Sequence, residues 1–127
     1  MFTGKEEETN MPYVDGFILA VPKANLDQYK EMARVAGNVW REYGALSYVE
    51  CLADDVPYGE VTSFPRAVLC KEDEIVVFSW ITYPSRETRD EINKKVMADP
   101  RLDSEKWEMP FDGKRMIYGG FQSFLDL

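Results

Sequence analysis

Residues 75–83 read IVVFSWITY, and no other stretch says as much about how this chain folds. In an extended strand successive side chains point to opposite faces. Ile75, Val77, Ser79, Ile81 and Tyr83 therefore share one side, and Val76, Phe78, Trp80 and Thr82 share the other. Neither set is hydrophilic. A sheet with helices on one face and water on the other alternates apolar with polar residues, so both faces of this strand call for cover. The segment YVDGFILAV at 13–21 has the same character, with Phe17, Leu19 and Val21 opposed by Val14, Ile18 and Ala20. It ends at Pro22, which has no N–H to give to a ladder.

Working outward, Asn25 and Gln28 have the spacing of a capping box, which predicts a helix from Leu26. Leu26, Tyr29, Ala33, Ala36, Trp40 and Tyr43 recur every three or four residues along it, and Gly44 supplies a left-handed stop. ALSYVECLA at 45–53 alternates like a strand, and DDVPYG at 54–59 is turn chemistry. Residues 63–70 and 75–83 flank the charged turn KEDE and are expected to pair as a hairpin, with Pro65 at an edge or bulge. Ser85 caps a second helix through about Ala98, with a stripe of Thr88, Ile92 and Val96. A turn through Asp112 and Gly113 leads into a last strand over 116–125.

This order predicts an α+β fold, a ferredoxin-like βαββαβ sandwich with an added strand segment and an antiparallel sheet. Residues 1–10 are polar and aperiodic and read as a flexible N-terminal extension before a single domain at 11–127. Two helices cover one sheet face. A second copy about a two-fold axis is the simplest cover for the other, which makes the expected state a homodimeric α/β barrel. The competing cover is the 54–66 loop.

Composition narrows the function. The net charge is -8, from 23 carboxylates against 15 Lys and Arg, which repels phosphate backbones and anionic lipid, so neither nucleic acid nor membrane is an expected partner. Cys51 and Cys70 lie in apolar segments away from any CxxC spacing, which fits reduced thiols in a cytoplasm. The chain has no histidine, so the commonest general base and transition-metal ligand are both missing, and neither metal nor cofactor is expected. Any chemistry must rest on carboxylates, Arg, Lys, Tyr, Cys or a borrowed cofactor.

Carboxylates inside strands are therefore the first candidates. Asp15 and Glu50 cost several kcal/mol to bury unless paired, and a desolvated one has a raised pKa suited to a base near neutral pH. The plainer expectation is an ion pair with Arg66 or Arg115 that fixes register. If Val49 and Cys51 pack under the helices, Tyr48, Glu50, Asp15 and Phe17 enter the barrel together with Phe78 and Trp80. Trp80, Arg66, Arg115 and Tyr118 are the expected ligand-binding residues, and FDGKRMIYGG at 111–120 offers backbone N–H groups to a small anion beside Lys114. The Gly119–Gly120 pair marks a bulge or a close backbone approach.

Four segments, YVDGFILAVPKANLDQYKEMA, YVECLADDVPYGEVTSFPRAV, VVFSWITYPSRETRDEINKKVMADPR and MPFDGKRMIYGGF, closely resemble the YbaA-like bacterial family, a domain of unknown function. The match covers nearly everything after residue 10, and Met11 coincides with where such proteins start. The resemblance implies a dimeric α/β barrel and transfers no catalytic residue. The expected function is a small-molecule-binding cytoplasmic homodimer, with cofactor-independent catalysis as its enzymatic form and a non-catalytic binding or adaptor module as the alternative.

Overall fold

The computed structural model describes residues 11–127, so the expectation for residues 1–10 lies outside the described residues. The elements are β1 (Tyr13–Pro22), α1 (Leu26–Glu42), β2 (Ser47–Leu52), α2 (Phe64–Ala67), β3 (Glu74–Tyr83), α3 (Arg86–Met97) and β4 (Ile117–Gln122), with 3-10 turns at Lys23–Asn25, Pro100–Leu102 and Gly113–Arg115. The four strands form one antiparallel sheet in the order β2-β3-β1-β4. The two strands with the densest β-branched and aromatic runs, β1 and β3, are the central pair. The fold is α+β.

α1 and α3 lie on the same sheet face. Val39 of α1 and Ile92 and Val96 of α3 close a core with Tyr13, Ile81 and Tyr83, and Tyr29 and Ala33 of α1 close a second with Leu19, Val21 and Val77. α3 starts as its sequence dictates, the Ser85 hydroxyl accepting from the Thr88 N–H at 3.1 Å. α1 does not. It grows out of the preceding 3-10 turn, and the Asn25 and Gln28 amides donate instead to the carbonyls of Pro110 and Glu108, both at 3.0 Å. The capping-box residues thus tie a distant segment to the start of the helix. Gly44, at φ 115°, makes the left-handed stop.

The added strand at 63–70 is not formed. The Ser63 hydroxyl accepts from the Arg66 N–H, Pro65 sits in the first turn, and the residues wind into α2. An N-cap serine followed by a proline favours the start of a helix over a ladder. β3 pairs with β2 instead, Glu50 standing opposite Ser79 and Val49 opposite Trp80. The segment after α2 still has a packing role: Val68 is fully buried against Ala20 and Val76 on the face away from α1 and α3, and Phe64 packs on Phe78 at 5.7 Å between ring centroids. The loop therefore covers one end of that face. The rest, with Ile18, Phe78, Trp80, Ile117 and Phe121, lines an open apolar trough of about 590 Å³.

Pairing register also settles which way each strand faces. Tyr48 and Glu50 stand opposite Ile81 and Ser79, and Asp15 and Phe17 opposite the same two residues on the other side, so all four face α1 and α3. Val49, Cys51, Phe78 and Trp80 face the trough side. The conditional expectation that grouped the carboxylates with Phe78 and Trp80 is thereby reversed. The physical reason lies in α1: Gly37 leaves a gap that the Tyr48 ring fills so closely that a Cβ there would lie 2.8 Å from its Cδ1.

Candidate functional site

Glu50 lies on the edge strand β2 beneath α1. The Tyr29 hydroxyl, from α1, donates to its Oε1 at 2.7 Å, and the Tyr48 hydroxyl, two residues back on the same strand face, donates to Oε2 at 2.9 Å. No guanidinium or ammonium forms an ion pair with it among the described residues. Burial pushes the Glu50 carboxyl above its ordinary range, opposed by the hydrogen bonds from Tyr29, Tyr48 and Ser79. Burial, reinforced by the neighbouring Glu50 charge, pushes both phenols up as well, so they stay protonated and can only donate to it.

Two cavities meet at this carboxylate. One, of about 470 Å³, runs along α1 and is lined by Tyr29, Ala33, Gly37, Tyr48, Glu50 and Leu52 among others. The other, of about 190 Å³, continues between helix and sheet past Phe17, Met32, Trp40, Ser79 and Phe111, with Tyr29, Tyr48 and Glu50 in the shared wall. A desolvated acceptor in the wall of such a cavity can orient a ligand through a donor group, or take a proton from it.

Asp15 belongs to a separate cluster. The Tyr83 hydroxyl donates to its Oδ2 at 2.9 Å, and Arg89 Nε stands 3.3 Å from Oδ1 in an ion pair whose Nε–H finds no hydrogen-bond acceptor. Arg89 also lies over the Tyr13 ring and donates to the Tyr13 hydroxyl at 3.1 Å. Gly120 permits this. A Cβ there would collide with Arg89 and Tyr13, so the Gly119–Gly120 pair marks a close approach, in a ladder that continues through both residues without a bulge. A cavity of about 540 Å³ opens beside Asp15 and Arg89 and is lined by Met97, Met109 and Met116.

The remaining residues singled out from sequence lie elsewhere. Arg115 makes two hydrogen bonds of 2.7 Å to the two oxygens of buried Glu74, and adds Asp112 at 3.1 Å and the Leu69 carbonyl at 2.8 Å. Its charge is committed to a structural clamp, and the Lys114 N–H is taken by Asp112. Arg66 stacks over Tyr58 at 3.8 Å and donates to the Tyr58 and Gly59 carbonyls. Neither arginine pairs with Asp15 or Glu50, which corrects the expected ion pairs. Trp80 faces the trough, packed edge-on against Phe78, and Tyr118 is exposed on β4 beside Phe17. The structure thus groups Glu50 with Tyr29 and Tyr48, and Asp15 with Tyr83 and Arg89. Tyr29 falls in the apolar stripe of α1, a position that marks a core residue. Its polar tip and the Tyr48–Glu50 spacing of two were the only signals that the two rings converge on one carboxylate. Among the described residues no three Cys, Asp or Glu side chains gather as a metal site, and no helix is long and apolar enough to cross a membrane.

Comparison with known proteins finds relatives along most of the chain. The chain is 58% identical over 116 residues to "Uncharacterized protein YbaA" of Escherichia coli (strain K12), covering 91% of this chain and 99% of that protein. The protein of the same name from Shigella flexneri matches over the same length and at the same identity. The family model described as "Protein of unknown function (DUF1428)" matches residues 12–113, which hold both central strands, α1, α3 and the whole Glu50 cluster, and the chain belongs to that family.

Proposed function

We propose that this protein is a small-molecule-binding module whose site is the helix-side chamber around Glu50. The observation that carries the reading is the placement of one desolvated carboxylate, held by two phenols and no cation, in the wall between two cavities. A carboxylate kept only for stability is better served by a guanidinium, as Glu74 is. In an enzymatic form Glu50 is the base, with Tyr29 and Tyr48 holding it in place and no cofactor required. The test is a thermal-shift panel of metabolites against the parent chain and Glu50→Gln. A ligand of the chamber raises the parent Tm and loses most of that effect in the variant. A panel in which every stabilising compound acts equally on both proteins removes Glu50 from the site and favours the non-catalytic binding or adaptor module.

We further propose that the sheet order and its two crossovers are those of a ferredoxin-like domain, and that a second copy covers the trough to give a dimeric α/β barrel in the cytoplasm. Support comes from Phe78, Ile117 and Phe121, large apolar side chains on one continuous sheet face that α2 and its loop leave exposed. Light scattering on the eluting protein measures the oligomer directly. A Trp80→Glu variant that is monomeric and folded is the expected companion result. A parent chain that elutes as a monomer at micromolar concentration rules the dimer out.

A further inference from the structure

The larger chamber carries charges that the overall acidity of the chain does not predict. Lys30, Arg34 and Arg41 line it from α1, and Glu50 is the sole carboxylate in its lining. The three cations recur at positions 30, 34 and 41, one stripe along the helix, with Gly37 between them. Arg34 is compensated by Glu31. Lys30 and Arg41 have no carboxylate partner among the described residues, and Arg41 spends hydrogen bonds only on the Ala45 and Leu46 carbonyls. All three cations are on exposed residues, so they stand at the mouth. On a chain of net charge -8, two uncompensated cations along one cavity, about 16 Å apart on the helix axis, form a local inversion of sign.

The inner end has the opposite preference. Each Glu50 oxygen accepts one phenolic hydrogen bond, the Ser79 hydroxyl bears on the same carboxylate, and a carboxylate accepts without donating, so a ligand group reaching it must be a donor. Apart from the charged residues and the two phenols, the lining is Ala33, Gly37, Leu52 and Val77, with Asn38 and Cys51, both exposed. A chamber of about 470 Å³ lies in the range of small-ligand sites.

Resting on the reading of this chamber as the binding site, we propose that its ligand is an amphipathic organic acid: an anionic group at Lys30, an apolar body along α1 and β2, and a hydroxyl or amine that donates to Glu50. Three probes separate the parts. Para-hydroxyphenylacetate has all of them, phenylacetate lacks the inner donor, and para-hydroxyphenylacetamide lacks the anion. Titration calorimetry at low ionic strength is expected to rank the hydroxy acid about tenfold tighter than either control. The exposed Lys30→Glu variant then weakens the two acids about tenfold and leaves the amide unchanged, while Glu50→Gln removes the advantage of the hydroxylated acid over phenylacetate. An amide that binds as tightly as the hydroxy acid, or acids indifferent to Lys30→Glu, overturns the anionic class but leaves the Glu50 chamber standing. Failure of all three probes to bind overturns the class too. The chamber itself falls only to the metabolite panel, when no compound distinguishes the parent from Glu50→Gln.

Discussion

Glu74 and Glu50 are both glutamates on strands, both set against apolar surroundings, and the fold treats them in opposite ways. Glu74, at the first residue of β3, receives a two-pronged guanidinium from Arg115 and a backbone N–H from Lys71 at 2.8 Å. Its carboxyl is held down to about 2, chiefly by the Arg115 hydrogen bonds. Glu50 receives two neutral phenols, no cation, and a carboxyl raised by burial. One arrangement spends its charge on joining β3 to the segment before β4. The other leaves its charge uncompensated beside a cavity, which is where an incoming group can make use of it.

The largest expected effect breaks the first half of that contrast. Arg115→Met strips buried Glu74 of its counter-charge and frees the Leu69 carbonyl and Asp112, and a broken buried pair is strongly destabilising. A fall in Tm of about 10 °C is expected for a domain of this size, read by calorimetry. Adding Glu74→Met should recover much of it, because an apolar pair needs no charge compensation. A drop of only a degree or two in the single variant would make Glu74 as weakly held as Glu50 and erase the distinction.

A middle-sized effect tests how the Glu50 cluster is held. At Gly37→Ala the new Cβ meets the Tyr48 ring. Overpacking of this kind costs about 1–3 kcal/mol, offset by about 1 kcal/mol of better helix propensity. The expected net loss is about 1 kcal/mol in a urea melt, with a larger proportional loss of ligand response as the Tyr48 hydroxyl moves off Glu50. Unchanged stability and unchanged binding would show that Tyr48 is not positioned by the gap in α1.

That gap also marks where the sequence stops being legible. β1 and β3 are long runs of β-branched and aromatic residues, α1 and α3 carry apolar stripes of helical period, and local pattern specifies all four well. SFPRAVLC, set across the KEDE turn from β3, has the look of a hairpin strand, although Ser63 and Pro65 carry the chemistry of a helix start. The facing of β2 was open for a different reason. SYVECL offers an acceptable apolar set on either side, so alternation gives two faces without saying which is which. What decides it is a glycine on another element, a tertiary fact. The pairing of Asp15 was hidden likewise: Arg89 reaches it from α3 only because Gly120 of β4 leaves room. Glu50 and Asp15 could be singled out as strand carboxylates, but the phenols and the arginine around them follow from packing.

The smallest expected effect is the sharpest, because the two glutamates should differ in sign. Glu74 has a folded value lowered from 4.5 to about 2, so its stabilisation is present above 4.5 and lost as pH falls toward 2. Glu50 has a raised folded value, so the native state favours its protonated form. Its penalty is absent below 4.5 and appears as pH rises through the raised value. In Tm measured against pH, Glu74→Gln should therefore lie below the parent at neutral pH and converge with it toward pH 2. Glu50→Gln should coincide with the parent in acid and lie level with it or slightly above it at neutral pH, since one phenol can still donate to the amide oxygen and the other can accept from the amide N–H. A Glu50→Gln curve that drops below the parent at neutral pH, parallel to that of Glu74→Gln, would mean that the ionised carboxylate stabilises the fold. Glu50 would then be a second structural clamp, and the chamber would lose its one polar group held against the interest of stability.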